Sequence, residues 1–384
     1  GKRDLRLDLL RGFAALAMIA DHIGGESSWL YPITGGNRFF VSAAEAFVFI
    51  SGAVMGIVYL NVLVKQGLGV ALMKAFHRAW TLYLVTVLLT LGFAAVAYAW
   101  DLWWAPDVSE DGLPRYVLDV ITLHRTIFLA DVLLMYVFLL LAAGPVILLL
   151  SQGHTLTVLA GSWLVWGAWQ LAPESASIPW NIQGNEVFYL SAWQVLFVTG
   201  LVMGWHRTAI ETWVRGLPRR AVVSGITLAA IVVLGLYVAQ LVNLTSLRED
   251  PLLYALAFDK PDLPVGRLAV FALLAVVAFA LTTELWTPIL RASGWLLLPL
   301  GQNALTAYSV HIFVVAVSVK LTDTALSDVS SRELVDTALQ ILGVGLVWLF
   351  VRFEPKLSRP LWGKVEACLD RCLRPLWART SAQA

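Results

Sequence analysis

Charge is what this sequence lacks most. Only 14% of its 384 residues are Asp, Glu, Lys or Arg against 59% hydrophobic, and the mean hydropathy of +0.75 lies far outside the soluble range. A soluble domain of this length would carry charged helical faces throughout. Here apolar runs of about 20 residues recur, each long enough to cross roughly 30 Å of hydrocarbon. Alternation is missing too. A membrane barrel needs strands of about ten residues with every second side chain apolar, whereas these runs are solidly Leu, Ala and Val, which excludes it. Cysteine is nearly absent: Cys368 and Cys372 are the only two, four apart in a basic tail, so no structural disulfide is expected. With no His or Cys pair at ligand spacing within one layer, no metal is expected either. The internal repeat that marks many secondary transporters is not visible, nor is a low-complexity linker between two folded domains.

What is present is a series of ten apolar segments, at about residues 7–24, 40–63, 79–100, 127–150, 156–172, 188–205, 221–243, 265–283, 299–320 and 335–352. The expected fold is all-α: a polytopic membrane protein of about ten transmembrane helices, with a transmembrane domain over 1–353 and a cytoplasmic tail over 354–384. Trp362, Leu369, Leu373 and Trp377 among Lys and Arg give that tail the pattern of an amphipathic helix on the inner leaflet. Cytoplasmic loops carry the excess of Lys and Arg. With both termini cytoplasmic, most of the 27 basic residues fall inside, among them Lys2, Arg3, Lys65, Lys74, Arg78, Arg207, Arg219 and Arg291. The outer loops are then acidic, with Asp101, Asp107, Glu110 and Asp111 in one and Glu249, Asp250, Asp259 and Asp262 in another. The first segment, interrupted by Asp8, Arg11, Asp21 and His22 and lacking a small-residue cleavage site, is expected to stay in the mature protein of a cytoplasmic (inner) membrane.

Polar residues at hydrocarbon depth are costly and mark pathways or sites. The first segment holds the densest set. Arg11 and His22 stand eleven residues apart; at about 100° per residue that is three turns plus roughly 20°, so they share one helix face about 16 Å apart along the axis. A cation near the cytosolic end suits a phosphate of coenzyme A, with the pantetheine arm carrying a thioester up the same face to the imidazole. The competing reading pairs Arg11 with Asp8 as an interfacial snorkelling residue and makes His22 a helix-end cap.

The run Arg3 to His22, RDLRLDLLRGFAALAMIADH, resembles the start of OpgC-type membrane acyltransferases. The run Ala43 to Gly52, AAEAFVFISG, resembles the matching second-span segment, and the spacing Arg, ten residues, His is similar to the signature of the wider acyltransferase family 3. Further echoes are Asp131 with Tyr136, Ala192-Trp193-Gln194 with Leu196-Phe197, and Gly301 to His311. The resemblance implies a ten-helix fold, a cytosolic acyl-CoA donor and an extracytoplasmic glycan acceptor, a periplasmic glucan or a cell-wall arabinan. Its donor would be succinyl-CoA, with acetyl-CoA as the alternative. By position it makes His22 the catalytic histidine and Arg11 its partner on the donor side, and it puts Glu45 inside the second-span motif.

A neutral imidazole suits the removal of a proton from an attacking sugar hydroxyl. Asp21 is the chain neighbour of His22, but adjacent helical residues point about 100° apart, so Glu45, at the start of the antiparallel second span, is the expected orienting partner. Lys74, His77 and Arg78 before the third span are the expected grip on the nucleotide phosphates. Asp131, Tyr308, His311 and Asn303 are the expected substrate-binding residues. Trp103, Trp104 and Trp180 are suited to stacking on sugar rings, and Arg125 or Arg38 to a succinyl carboxylate. The expected partners are thus acyl-CoA, the glycan and membrane lipid, with no nucleic acid. Two alternatives stay open: an acetyltransferase of envelope glycans or glycolipids, and a transporter or flippase. So does the choice between direct transfer and an acyl-enzyme.

Overall fold

The computed structural model describes residues 3–24, 27–36, 39–108, 112–173, 175–241, 249–326 and 331–357. Arg38, the two cysteines and the tail beyond Leu357 lie outside them. Among the described residues no strand occurs, only an isolated bridge between Arg125 and Gln183 that joins two loops. The helices are α1 (Leu5–Ile23), α2 (Tyr31–Thr34), α3 (Ala43–Gln66), α4 (Leu68–Trp100), α5 (Gly112–Ile121), α6 (Asp131–Ser151), α7 (Thr155–Leu171), α8 (Leu190–Trp205), α9 (Arg207–Gly216) and α10 (Arg219–Leu241). A turn at Pro251–Leu253 runs into a π turn, Tyr254–Phe258, and then follow α11 (Val265–Glu284), α12 (Trp286–Gln302), α13 (Ala304–Thr324) and α14 (Arg332–Leu357).

Each of the ten apolar segments is helical. Seven helices, α3, α4, α6, α10, α11, α13 and α14, are long and apolar enough to cross a membrane. The three others fall short for visible reasons: α1 carries Arg6, Asp8, Arg11 and Asp21, and α7 and α8 have 17 and 16 residues. Two boundaries differ from the sequence reading. The third segment, expected from 79, begins at Leu68, so that Lys74, His77 and Arg78 sit inside a continuous 33-residue helix rather than before it. The stretch 284–298, expected as a loop carrying Arg291, is helix α12, and α13 starts at Ala304 rather than 299. Pro299 and the polar pair Gln302-Asn303 make the break, where the Asn303 amide donates to the Pro299 carbonyl at 3.1 Å.

Small residues set the closest contacts. On α3, a Cβ added to Gly52 or Gly56 would stand 2.1 Å from the carbonyl oxygen of Phe197 or Leu201 on α8. On α8, one added to Gly200 or Gly204 would stand 2.3 Å from the Phe49 oxygen or 2.0 Å from that of Ala53. Two small-xxx-small stripes therefore face each other, backbone on backbone, as helices in lipid require when no hydrophobic force drives them together. The lower half of α1 is held likewise, for a Cβ on Gly12 would meet the Leu297 oxygen at 1.9 Å and one on Gly301 the Asp8 oxygen at 1.8 Å. At its other end α1 is clamped by α14. Gln340, fully buried, donates to the Ala20 carbonyl at 2.8 Å and accepts from Ser28. The helix bearing Arg11 and His22 is thus fixed at both ends.

Candidate active site

His22 lies in the last turn of α1 and meets His311 of α13: Nδ1 of His22 is 3.0 Å from Nε2 of His311, with the ring planes 26° apart. His311 is fully buried, whereas His22 keeps partial exposure. Nδ1 of His311 stands 2.6 Å from the Tyr308 carbonyl. A carbonyl only accepts, so that nitrogen carries the proton. In the neutral pair Nε2 of His311 must then accept, Nδ1 of His22 must donate, and Nε2 of His22 keeps its lone pair. One backbone carbonyl thereby sets two tautomers and leaves a base at the end of the chain. The Tyr308 hydroxyl in turn donates to the carbonyl of Leu129, a residue in the left-handed region at φ 65° two positions before Asp131. A non-glycine residue held there indicates local backbone strain fixed by its surroundings.

About three turns down the same face, Arg11 makes no salt bridge to a carboxylate among the described residues. Asp8 is bonded instead to Arg3 in a two-point contact at 2.5 and 2.8 Å, and reaches Arg11 only through its charge. The Arg11 Nε is buried without a hydrogen-bond partner. Tyr136, Asp8, Arg3 and Arg78 are within electrostatic reach, and the Tyr136 hydroxyl donates to Ser51 at 3.3 Å. Two cations near each other with a guanidinium nitrogen unsatisfied make a site for an anion. Between Arg11 and His22 the face carries Ala14, Ala15 and Met18, of which the two alanines are small and buried.

Glu45 does not meet His22. Its carboxylate closes a capping box at the start of α3, accepting from the Ser42 amide at 2.9 Å and the Ser42 hydroxyl at 2.7 Å, and its other oxygen accepts from Nε of Arg267 on α11. Glu45 and Arg267 are 0% and 2% exposed, a buried ion pair. The orienting partner of His22 is therefore His311, a neutral ring that supplies the acceptor without an additional buried charge. Lys260, which the sequence analysis does not single out, lies within electrostatic reach of Glu45, Arg267, Asp131, Asp21 and His22. Burial pushes its ammonium below the ordinary lysine value, and the Glu45 carboxylate acts against that shift.

The remaining expected residues divide. Asp131 is buried at the first position of α6, accepting from the Val132 amide at 2.9 Å, within electrostatic reach of Tyr308. Asp21 holds the following loop, accepting from the Gly36 amide at 3.1 Å. Asn303 stays at the α12–α13 break, eight residues or about 12 Å below His311. Lys74 is exposed and reaches Gln66 at 3.1 Å, while Nε2 of His77 is buried without a partner. Arg125 bonds Gln183 at 2.9 Å and lies over the Tyr116 ring, so its work is to join loops. Trp103 is 72% exposed, whereas Trp104 is buried and Trp180 stacks on His124. Among the described residues no group of His, Cys, Asp and Glu could hold a metal ion.

A multi-helix membrane protein with an imidazole pair between two helices, and a half-buried arginine on the face of one of them, is the class these features define. The family described as OpgC protein matches residues 3–359, and the chain belongs to it. At the level of that family it is a membrane acyltransferase that modifies glycans. Neither the curated proteins nor the solved structures give a match.

Proposed function

We propose that this protein moves a succinyl group from succinyl-CoA in the cytoplasm onto a sugar hydroxyl of a polysaccharide on the far side of the inner membrane. Ten membrane crossings with both termini cytoplasmic would put Arg11 at the donor side and the end of α1 toward the acceptor. The observation that carries the reading is the pairing on α1 of a proton acceptor, Nε2 of His22, with a half-buried guanidinium about 16 Å below it whose Nε has no hydrogen-bond partner. Arg11 and Arg78, with Lys74 and His77 on the same stretch of α4, hold the phosphates of the donor, and the thiol arm rises past Ala14 and Ala15.

In the reaction, Nε2 of His22 takes the proton of the sugar hydroxyl as its oxygen bonds to the thioester carbonyl carbon. The tetrahedral intermediate collapses, the carbon–sulfur bond breaks, and the imidazolium returns its proton to the departing thiolate. His311 acts through His22 as a positioning residue, accepting from Nδ1 and so stabilising the imidazolium in the transition state. On this reading Asp131 and Tyr308 contact the acceptor sugar. One direct transfer suffices because base, donor arm and acceptor converge on one ring.

The test is release of free CoA thiol by purified protein given succinyl-CoA and an envelope glycan, with mass analysis of the glycan. Thiol release with a succinyl mass added to the sugar is the expected result, and its loss in His22→Ala follows. A protein that translocates glycan or lipid without thiol release would be a transporter, and acylation from acetyl-CoA alone would make it an acetyltransferase.

A further inference from the structure

We infer that the hydroxyls of Tyr136 and Ser51 form the station that holds a secondary amide of the donor's thiol arm on its way from Arg11 to His22. The inference rests on the acyl-CoA reading above and supplies a polar contact which that reading lacks, since it gives the arm only Ala14 and Ala15.

The arm that joins the phosphates of coenzyme A to its sulfur carries secondary amides, and an amide taken out of water without partners is costly. Helix α1 has nothing to offer them, for from Gly12 to Ala20 it holds no polar side chain. The partners have to come from a neighbouring helix. Tyr136 on α6 is within electrostatic reach of Arg11 and also of Tyr308, whose ring packs on His311 with the centres 4.7 Å apart. It is therefore in reach of both the donor-side cation and the surroundings of the imidazole pair. Arg11, Met18 and His22, which share a face of α1, each keep partial exposure, and so do Tyr136 and Ser51, whereas Ala14, Ala15, Ala17 and Ile19 are buried. That face borders open space rather than packed side chains.

The hydroxyl pair matches an amide in its donors and acceptors. Tyr136 donates to the Ser51 oxygen at 3.3 Å and keeps its own oxygen free to accept an N–H. Ser51 accepts that bond, and among the described residues its own proton goes to no acceptor. Other serines of the bundle behave differently: Ser293, Ser309 and Ser318 each donate to the carbonyl four residues back in their helix, at 2.9, 2.8 and 2.9 Å. One acceptor and one donor side by side are what the N–H and C=O of a secondary amide require. At 3.3 Å the Tyr136–Ser51 contact is longer than an ordinary O–H···O bond, so little is lost when a third group joins it. Ser51 is also held in place, because the next residue, Gly52, lies against the Phe197 carbonyl of α8.

The experiment measures dissociation constants for CoA and for 3′-phosphoadenosine diphosphate, the same nucleotide without the arm, in purified wild type, Tyr136→Phe and Ser51→Ala. Each variant should weaken CoA at least fivefold, the cost of an amide left without a partner, and leave the nucleotide within twofold. Loss of a merely structural contact would weaken both ligands alike. Equal weakening of CoA and nucleotide, or no weakening of CoA, would overturn the assignment, as would equal binding of the two ligands by wild type. Should Tyr136→Phe fail to fold, Ser51→Ala decides by the same ratio. Binding of both ligands with unchanged ratios in the variants removes the amide station alone. Binding of neither by wild type removes the acyl-CoA reading with it.

Discussion

His22 and His311, 289 positions apart in the chain, meet nitrogen to nitrogen at 3.0 Å, and the direction of that hydrogen bond is set by a third atom, the carbonyl oxygen of Tyr308. Catalytic imidazoles are commonly aligned by a carboxylate. A neutral ring performs the same alignment here and spares the membrane interior a further charge.

His311 should therefore be replaceable by an acceptor but not by a hydrocarbon. His311→Leu is expected to lower kcat by roughly 10²- to 10⁴-fold, the range of a general base deprived of its geometry. His311→Gln, whose amide oxygen falls near the position of Nε2, should recover part of that loss. Equal rates for the two variants in a thiol-release assay would argue against the tautomer relay.

Arg11→Met should act on the donor and spare the chemistry. Losing a charge-assisted hydrogen bond to phosphate, about 1.5–3 kcal/mol, raises KM for the thioester roughly ten- to hundredfold. The kcat value at saturation and the KM for glycan should stay near wild type, and added salt should weaken donor binding less in the variant. Kinetics over a range of thioester and salt concentrations checks this.

The buried pair of Glu45 and Arg267 makes a stability prediction. Removing one partner strands the other charge in the interior, so Glu45→Ala should cost about 3–5 kcal/mol. The double variant Glu45→Met with Arg267→Leu should regain most of that stability. Thermal unfolding of the single and double variants in detergent checks this.

Gly56→Leu should also destabilise strongly, at about 3 kcal/mol, because its side chain would have to displace the backbone of α8 and not merely another side chain. Gly235→Leu on α10, where nothing stands within 4 Å, is expected to change stability by no more than about 0.5 kcal/mol. Comparable losses of folded protein for both would contradict the packing described.

Much of this was legible in the residues themselves, and the division has a physical cause. Arg11 and His22 share a face because a single helix fixes their geometry through its period, and no tertiary knowledge is needed. The ten apolar segments are helical for the same local reason. Glu45 was recognisable as a significant acid but not as the partner of Arg267, since 222 residues separate them and only packing decides the match. Helix α12 was hidden by Arg291 and two prolines, which read as a loop until Gly12 and Gly301 are seen to let it press against α1. Lys260 had one available signal, a lone cation in an acidic loop beside Asp259 and Asp262.

The most direct measurement places the two substrates on opposite sides of a bilayer. With purified protein in sealed vesicles, succinyl-CoA enclosed and glycan outside, free thiol should accumulate within and succinylated glycan without, and His22→Ala should abolish both. Vesicles that acylate glycan only when donor and acceptor share a compartment, or a His22→Ala variant that works at the wild-type rate, would contradict the account.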